Sequence, residues 1–191
     1  PDSPRSGDPV FGKSATFLAG NNRMALQSAA REAVKLGFTT FIVTSELAGE
    51  SMNACNHIFD VIHWYRNDPA IKKPVCLLFG GETTVKVTGE GLGGRNQHLA
   101  LIVATRLQDI SGVTFLSAGT DGNDGNTEMA GAVVDSETVH DALSMNVDPF
   151  ARALMISMLL KVSARREAMS ESFCCERCMS RFMRRASTAR G

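Results

Sequence analysis

The sequence lacks a net charge. Its 20 Lys and Arg balance 20 Asp and Glu, so the chain as a whole has no basic excess with which to gather nucleic acid. It also lacks an apolar stretch of the roughly 18 residues that a spanning helix needs, and its first residues do not follow a secretory signal pattern. Neither a membrane nor nucleic acid is therefore expected as a partner. Cysteine is sparse, with 5 residues. Cys55 and Cys76 stand apart in an expected helix and an expected strand, where a free thiol behaves as a small apolar group. Cys174, Cys175 and Cys178 cluster as CCERC, but no second cysteine pair or nearby histidine accompanies them, which argues against a four-ligand zinc site. This usage points to a reducing compartment.

Glycine is what the chain does have, and it is concentrated in two segments. GGETTVKVTGEGLGGRNQ runs from Gly80 to Gln97, and SAGTDGNDGNTEMAG from Ser117 to Gly131. Glycine at this density marks places where a backbone turns sharply or approaches a ligand closely. Around the first segment, Cys76 to Phe79 and Val85 to Val87 read as strands and Gly89 to Gly94 as a loop. Arg95 to Leu107 reads as a helix with Leu99, Ile102, Val103 and Leu107 on one face. Backbone N–H groups of the loop and of the first helical turn are expected to converge on one spot, where the helix dipole favours an anion. Arg95 adds a forked positive donor suited to phosphate or carboxylate.

The second segment supplies the opposite charge. Val113 to Leu116 reads as a strand, and Asp121 and Asp124 come after it in a turn held open by Gly119, Gly122 and Gly125. Such carboxylates can hold Mg²⁺ bound to phosphates, or one can accept a proton from a substrate hydroxyl. Gly89, Gly91 and Gly94 also satisfy GxGxxG, which keeps a dinucleotide-binding Rossmann-type module as an alternative. Asp109 has nearly the spacing of the ribose-binding acid but falls at a helix end, not at the end of the next strand. An EF-hand is excluded, because Gly125 stands where an oxygen ligand is needed.

The rest of the chain alternates strand and helix, which predicts an α/β protein built from βαβ units. Thr16 to Ala19 is expected as a strand, Asn22 to Leu36 as a helix capped by Asn21 or Asn22 and ended by Gly37, Thr39 to Thr44 as a strand, and Ser51 to Tyr65 as a helix. His57 and His63 lie too far apart for an i, i+4 metal pair. Glu46 and Glu50 flank Gly49 and read either as an acidic helix start or as a loop reaching the site. Arg66 to Pro74 is the linker candidate. After Phe150 the chain turns basic. Ala151 to Val162 can form one amphipathic helix, and the residues beyond Val162 lack apolar periodicity and read as a solvated, disordered tail.

The string GGETTV with GGRNQ, together with GTDG and AGAVVD, resembles the MOFRL domain of the class II glycerate kinases, and the resemblance extends back to FLAGNNRMALQSAAREAVKLGF, covering about Phe17 to Asp148. It implies a flexible lead over 1–15 and the end of a Rossmann-like domain with its linker over 16–73. An incomplete MOFRL-type α/β domain with a mixed sheet would span 74–150, and a divergent tail 151–191. It implies ATP-dependent phosphorylation of D-glycerate to 2-phosphoglycerate in serine and fructose metabolism, with ATP and Mg²⁺ as cofactors. The implied compartment is the cytoplasm, with mitochondria as the alternative, and a homo-oligomer is left open. Arg95 and Asp121 would be catalytic. Glu82, Thr83, Gly91, Gly93, Gly94, Asn96 and Thr120 would bind substrate or phosphate, and Asp121 with Asp124 would hold Mg²⁺. The chain departs from the family pattern at His98, where Glu is usual, and at Asn126, where Pro is usual. Most of the family's N-terminal domain, including its lysine, has no counterpart, and the tail reads as an alternative exon end or a shifted frame. The resulting expectation is an incomplete kinase chain, inactive alone, or a non-catalytic interaction fragment.

Overall fold

The structure, a computed structural model, describes residues 3–5, 7–15, 17–86 and 91–150. A short 3₁₀ turn at Pro9–Phe11 precedes α1 (Asn22–Lys35), β1 (Thr39–Glu50), α2 (Ser51–Asn67), β2 (Val75–Thr84), α3 (Arg95–Leu107), β3 (Thr114–Ala118), β4 (Gly131–Asp135) and α4 (Thr138–Ser144). The α/β expectation holds. β1 and β2 pair in parallel across the α2 crossover, and β3 and β4 pair antiparallel. The described residues form one two-stranded sheet of each kind.

Local chemistry sets the helix ends. The Asn21 side chain accepts the Met24 N–H at 2.9 Å, the usual N-cap bond. At the other end of α1, Gly37 adopts φ +87°. Its N–H donates to the Val34 carbonyl while that of Phe38 donates to the Ala33 carbonyl. This pair of bonds is a Schellman stop, and it needs the left-handed residue that glycine supplies.

The main core forms where α3 meets α2. Leu99, Ile102, Val103 and Leu107 are buried as their spacing predicts, and they pack with Ala54, Cys55, Ile58 and Phe59 of α2, Val134 of β4 and Val139 of α4. Ala100 and Ala104 are buried too, so α3 is enclosed on more than one face. A second cluster packs Leu26, Ala29 and Ala33 of α1 onto Cys76 and Leu78 of β2. Burial pushes the Cys76 thiol up to about 12. The Cys55 thiol is also raised by burial, against the opposing effect of a bond from Arg106. Both stay protonated at neutral pH and act as apolar filling.

Three strand expectations are corrected. Residues 17–20 form no strand, and Phe17 and Leu18 are 88% and 75% exposed, so neither pairing nor packing holds this stretch extended. The strand placed at Val85–Val87 does not form over Val85 and Lys86, and Val87 lies outside the described residues. The reason is the partner: β1 continues well past Thr44, its register with β2 ends at Glu50↔Thr84, and there β1 turns into α2. The expected strand Val113–Leu116 is observed at Thr114–Ala118. Arg66–Pro74, expected as a linker, connects α2 to β2, and the strands β1 and β2 on either side of this crossover share one parallel sheet. The helix and tail expected after Phe150 lie outside the described residues.

One glycine is required for this sheet. Gly81 has φ +141°, and a Cβ there would collide with the Leu47 backbone of the neighbouring strand. Gly81→Ala is expected to destabilise the chain by about 1–3 kcal/mol from backbone strain alone, with more from the collision. Urea denaturation checks it, and an unchanged midpoint would contradict the β1–β2 register.

Candidate active site at the junction of two glycine loops

The loop entering α3 and the loop from β3 to β4 meet. Asp124 of the second loop is only 2% exposed and reaches the start of α3. Its Oδ1 accepts the Asn96 backbone N–H and side-chain amide, both at 3.0 Å. Its Oδ2 accepts the Gln97 backbone N–H at 2.8 Å and side-chain amide at 3.2 Å. Gln97 also donates to the Thr127 hydroxyl at 2.8 Å, and the Ser117 hydroxyl donates to Asn96 Oδ1 at 2.9 Å. Asn126 ties the backbones together, accepting from Gly93 N–H at 2.9 Å and donating to the Gly91 carbonyl at 3.1 Å.

The contact is too close for side chains at two positions. A Cβ on Gly94 would overlap the Asp124 carboxyl group, and one on Gly125 the Gly93 carbonyl oxygen. Gly125 additionally has φ +63°. The glycine density read as a ligand cradle therefore serves, at these two positions, the approach of one loop to the other.

Two expectations change as a result. The first-turn amides of α3 do not face an open anion site, because the Asp124 carboxylate occupies those of Asn96 and Gln97, where the helix dipole favours negative charge. Asp124, expected as a Mg²⁺ ligand, has its two oxygens committed to four N–H donors. No group of three or more potential metal-binding side chains occurs among the described residues, and of the expected pair it is Asp121 that keeps an exposed carboxylate.

Other expected residues do come together. Arg95 at the start of α3 pairs with Glu82 near the end of β2, Nη1 to Oε1 2.9 Å, with side chains 43% and 70% exposed. Thr83 beside Glu82 is buried and Thr120 is exposed. Asp121 is exposed, its Oδ1 accepting the Asn123 N–H at 3.4 Å. The empty side-chain position of Gly119 lies 2.7 Å from Asp121 Oδ1 and 3.6 Å from Asn96 Nδ2, so Asp121 borders the same junction. Gly89 lies outside the described residues. His98, one turn into α3, has its pKa lowered by burial, which keeps its imidazole neutral at neutral pH. His57 sits edge-on to Phe79 at 6.2 Å, and Glu50 starts α2 without a side-chain cap bond.

Gln97, Ser117, Asn126 and Thr127 belong to this junction and escaped sequence reasoning. The one available signal was an Asp and an Asn flanking Gly125, residue types that bond readily to backbone in turns.

This fold and junction define a MOFRL-type α/β domain: the pattern of the MOFRL family matches residues 75–160. The D-glycerate 2-kinase of Thermotoga maritima is 42% identical over 134 residues, covering 70% of this chain and 32% of the relative. The glycerate 2-kinase of Pyrococcus horikoshii is 37% identical over 135 residues, 69% of this chain and 30% of the relative. The crystal structure of the Thermotoga maritima glycerate kinase superimposes with a TM-score of 0.67 at 41% identity, covering 72% of this chain and 33% of that one. Residues 75–160 thus belong to the MOFRL family, and the chain spans about a third of the length of the glycerate 2-kinases it resembles.

Proposed function

We propose that the chain contributes one wall of a kinase site that transfers the terminal phosphoryl group of ATP to D-glycerate, giving 2-phosphoglycerate. The observation that carries this reading is Arg95, held at the start of α3 beside the loop junction, with an exposed acid as its ion-pair partner. An exposed ion pair contributes little and exchanges readily, so Arg95 can leave Glu82 for the substrate carboxylate or the transferring phosphoryl oxygens. Bidentate guanidinium contact suits both groups.

Phosphoryl transfer depends chiefly on positioning and on neutralising charge. In this reading Arg95 supplies the charge, and Asp121 accepts the proton of the attacking hydroxyl. Glu82 orients Arg95 in the absence of substrate. Gly91, Gly93 and Thr120 line the approach, while Gly94, Asn96 and Thr83 hold the two segments in place. The family pattern begins at 75, beside the expected division near 73/74, although β1 and β2 share a sheet across it; the opposing wall would come from family residues of the Rossmann-like part. A cytoplasmic setting, with mitochondria as the alternative, accords with the family reading. No helix among the described residues is long and apolar enough to cross a membrane. The kinase names of the relatives do not favour the dinucleotide-binding alternative.

A coupled ADP-release assay with Mg-ATP, run on the chain set into a full-length glycerate 2-kinase, tests the reading. ADP release is expected with D-glycerate and not with glycerol, which lacks the carboxylate. Equal release with both would refute it.

A further inference from the structure

We propose that Asp124 is a positioning residue whose carboxylate fills the anion site at the N-terminus of α3, so that an incoming phosphate or carboxylate is directed to the Arg95 guanidinium. This rests on the kinase reading only for the identity of the incoming anion. The filling of the site rests on geometry.

α3 is a 13-residue helix, long enough for its N-terminal partial charge to attract an anion strongly. In many phosphate-binding proteins that attraction is left for the ligand. Here the Asn96 and Gln97 amides, backbone and side chain, all end on Asp124, at 2.8 to 3.2 Å. Asp124 is 2% exposed, and its carboxyl group sits where a Cβ on Gly94 would overlap it, so no second anion fits between. Thr127 and Asn126 brace it: the Thr127 hydroxyl donates to the Asp124 carbonyl at 2.8 Å, and Asn126 bonds the facing loop at Gly91 and Gly93. At this helix end Arg95, one residue before the filled amides, keeps its side chain 43% exposed. A negative charge beneath it fixes where α3 begins and so where the guanidinium emerges.

The test is an NMR titration of the whole chain with inorganic phosphate and with formate, monitoring the backbone amides of Asn96 and Gln97 and the Arg95 side-chain Nε–H. In the unmodified chain phosphate is expected to shift Arg95 Nε–H and to leave both amides in place. In Asp124→Ala the vacated carboxylate site is expected to admit formate, which shifts the Asn96 and Gln97 amides and raises the thermal midpoint of the variant but not of the unmodified chain. Phosphate shifts at the two amides in the unmodified chain would overturn the proposal, as would an unmoved Arg95 Nε–H.

If Asp124→Ala does not fold, Asp124→Asn decides. It keeps the size and removes the charge, and it is expected to melt several degrees below the unmodified chain; an equal midpoint would overturn the proposal. Failure of D-glycerate turnover would leave these shifts unchanged, so the two readings fail separately.

Discussion

Arg95→Ala in a full-length family context is expected to lower kcat/KM for D-glycerate by about 10²–10³-fold, the loss typical when one donor to developing transition-state charge is removed. The fall should appear mainly in kcat if Arg95 meets the transferring phosphoryl group, and mainly in KM if it holds the substrate carboxylate equally in ground and transition states. Stability should barely change, because Arg95 and Glu82 are both solvent-accessible and such pairs contribute little. Arg95→Lys keeps the charge but loses the planar fork, so it should recover only part of the rate. Steady-state kinetics together with a melting curve make the check. A large drop in midpoint alongside the drop in rate would assign Arg95 to folding instead.

Asp124→Ala has the opposite profile, with its main effect on stability. Removing a buried carboxylate strands donors on Asn96 and Gln97 and leaves the start of α3 uncapped. Leaving a buried donor unsatisfied typically costs about 1–3 kcal/mol, against about 5–15 kcal/mol for the stability of a whole domain. The loss propagates because α3 is the centre of the main core, carrying Leu99, Ile102, Val103 and Leu107. Urea unfolding measures it, and a midpoint within error of the unmodified chain would mean that the loop junction does not hold α3 in place.

The helices were the legible part of the fold, because their signals are local. Asn21 before α1, Gly37 after it and the apolar spacing within Arg95–Leu107 specify ends and faces without reference to distant residues. Strand extent was not local. The reach of β1 from Ser45 to Glu50 cannot be read from composition: β1 continues that far because Gly81 to Thr84 of β2 lies alongside Leu47 to Glu50. The stretch over 17–19, strand-like by residue type, forms no strand for want of any such neighbour.

For the candidate site, the sequence singles out residues but not their pairing. Arg95, Asp121 and Asp124 stand out in the sequence because charged residues among glycines mark loops near chemistry. That Asp124 would turn inward to cap α3, while Glu82 would meet Arg95, depends on how two loops far apart in sequence approach each other. The glycines were ambiguous for the same reason. Gly94 and Gly125 permit a close approach, and the sequence does not say whether a ligand or another loop makes it.

The most direct test of the family chemistry is a chimera in which residues 17–150 replace their counterpart in the Thermotoga maritima D-glycerate 2-kinase, assayed for ADP release with Mg-ATP and D-glycerate. Turnover by the folded chimera, lost on Arg95→Ala, is the predicted result. A folded chimera without turnover, or one that Arg95→Ala leaves fully active, would contradict the account.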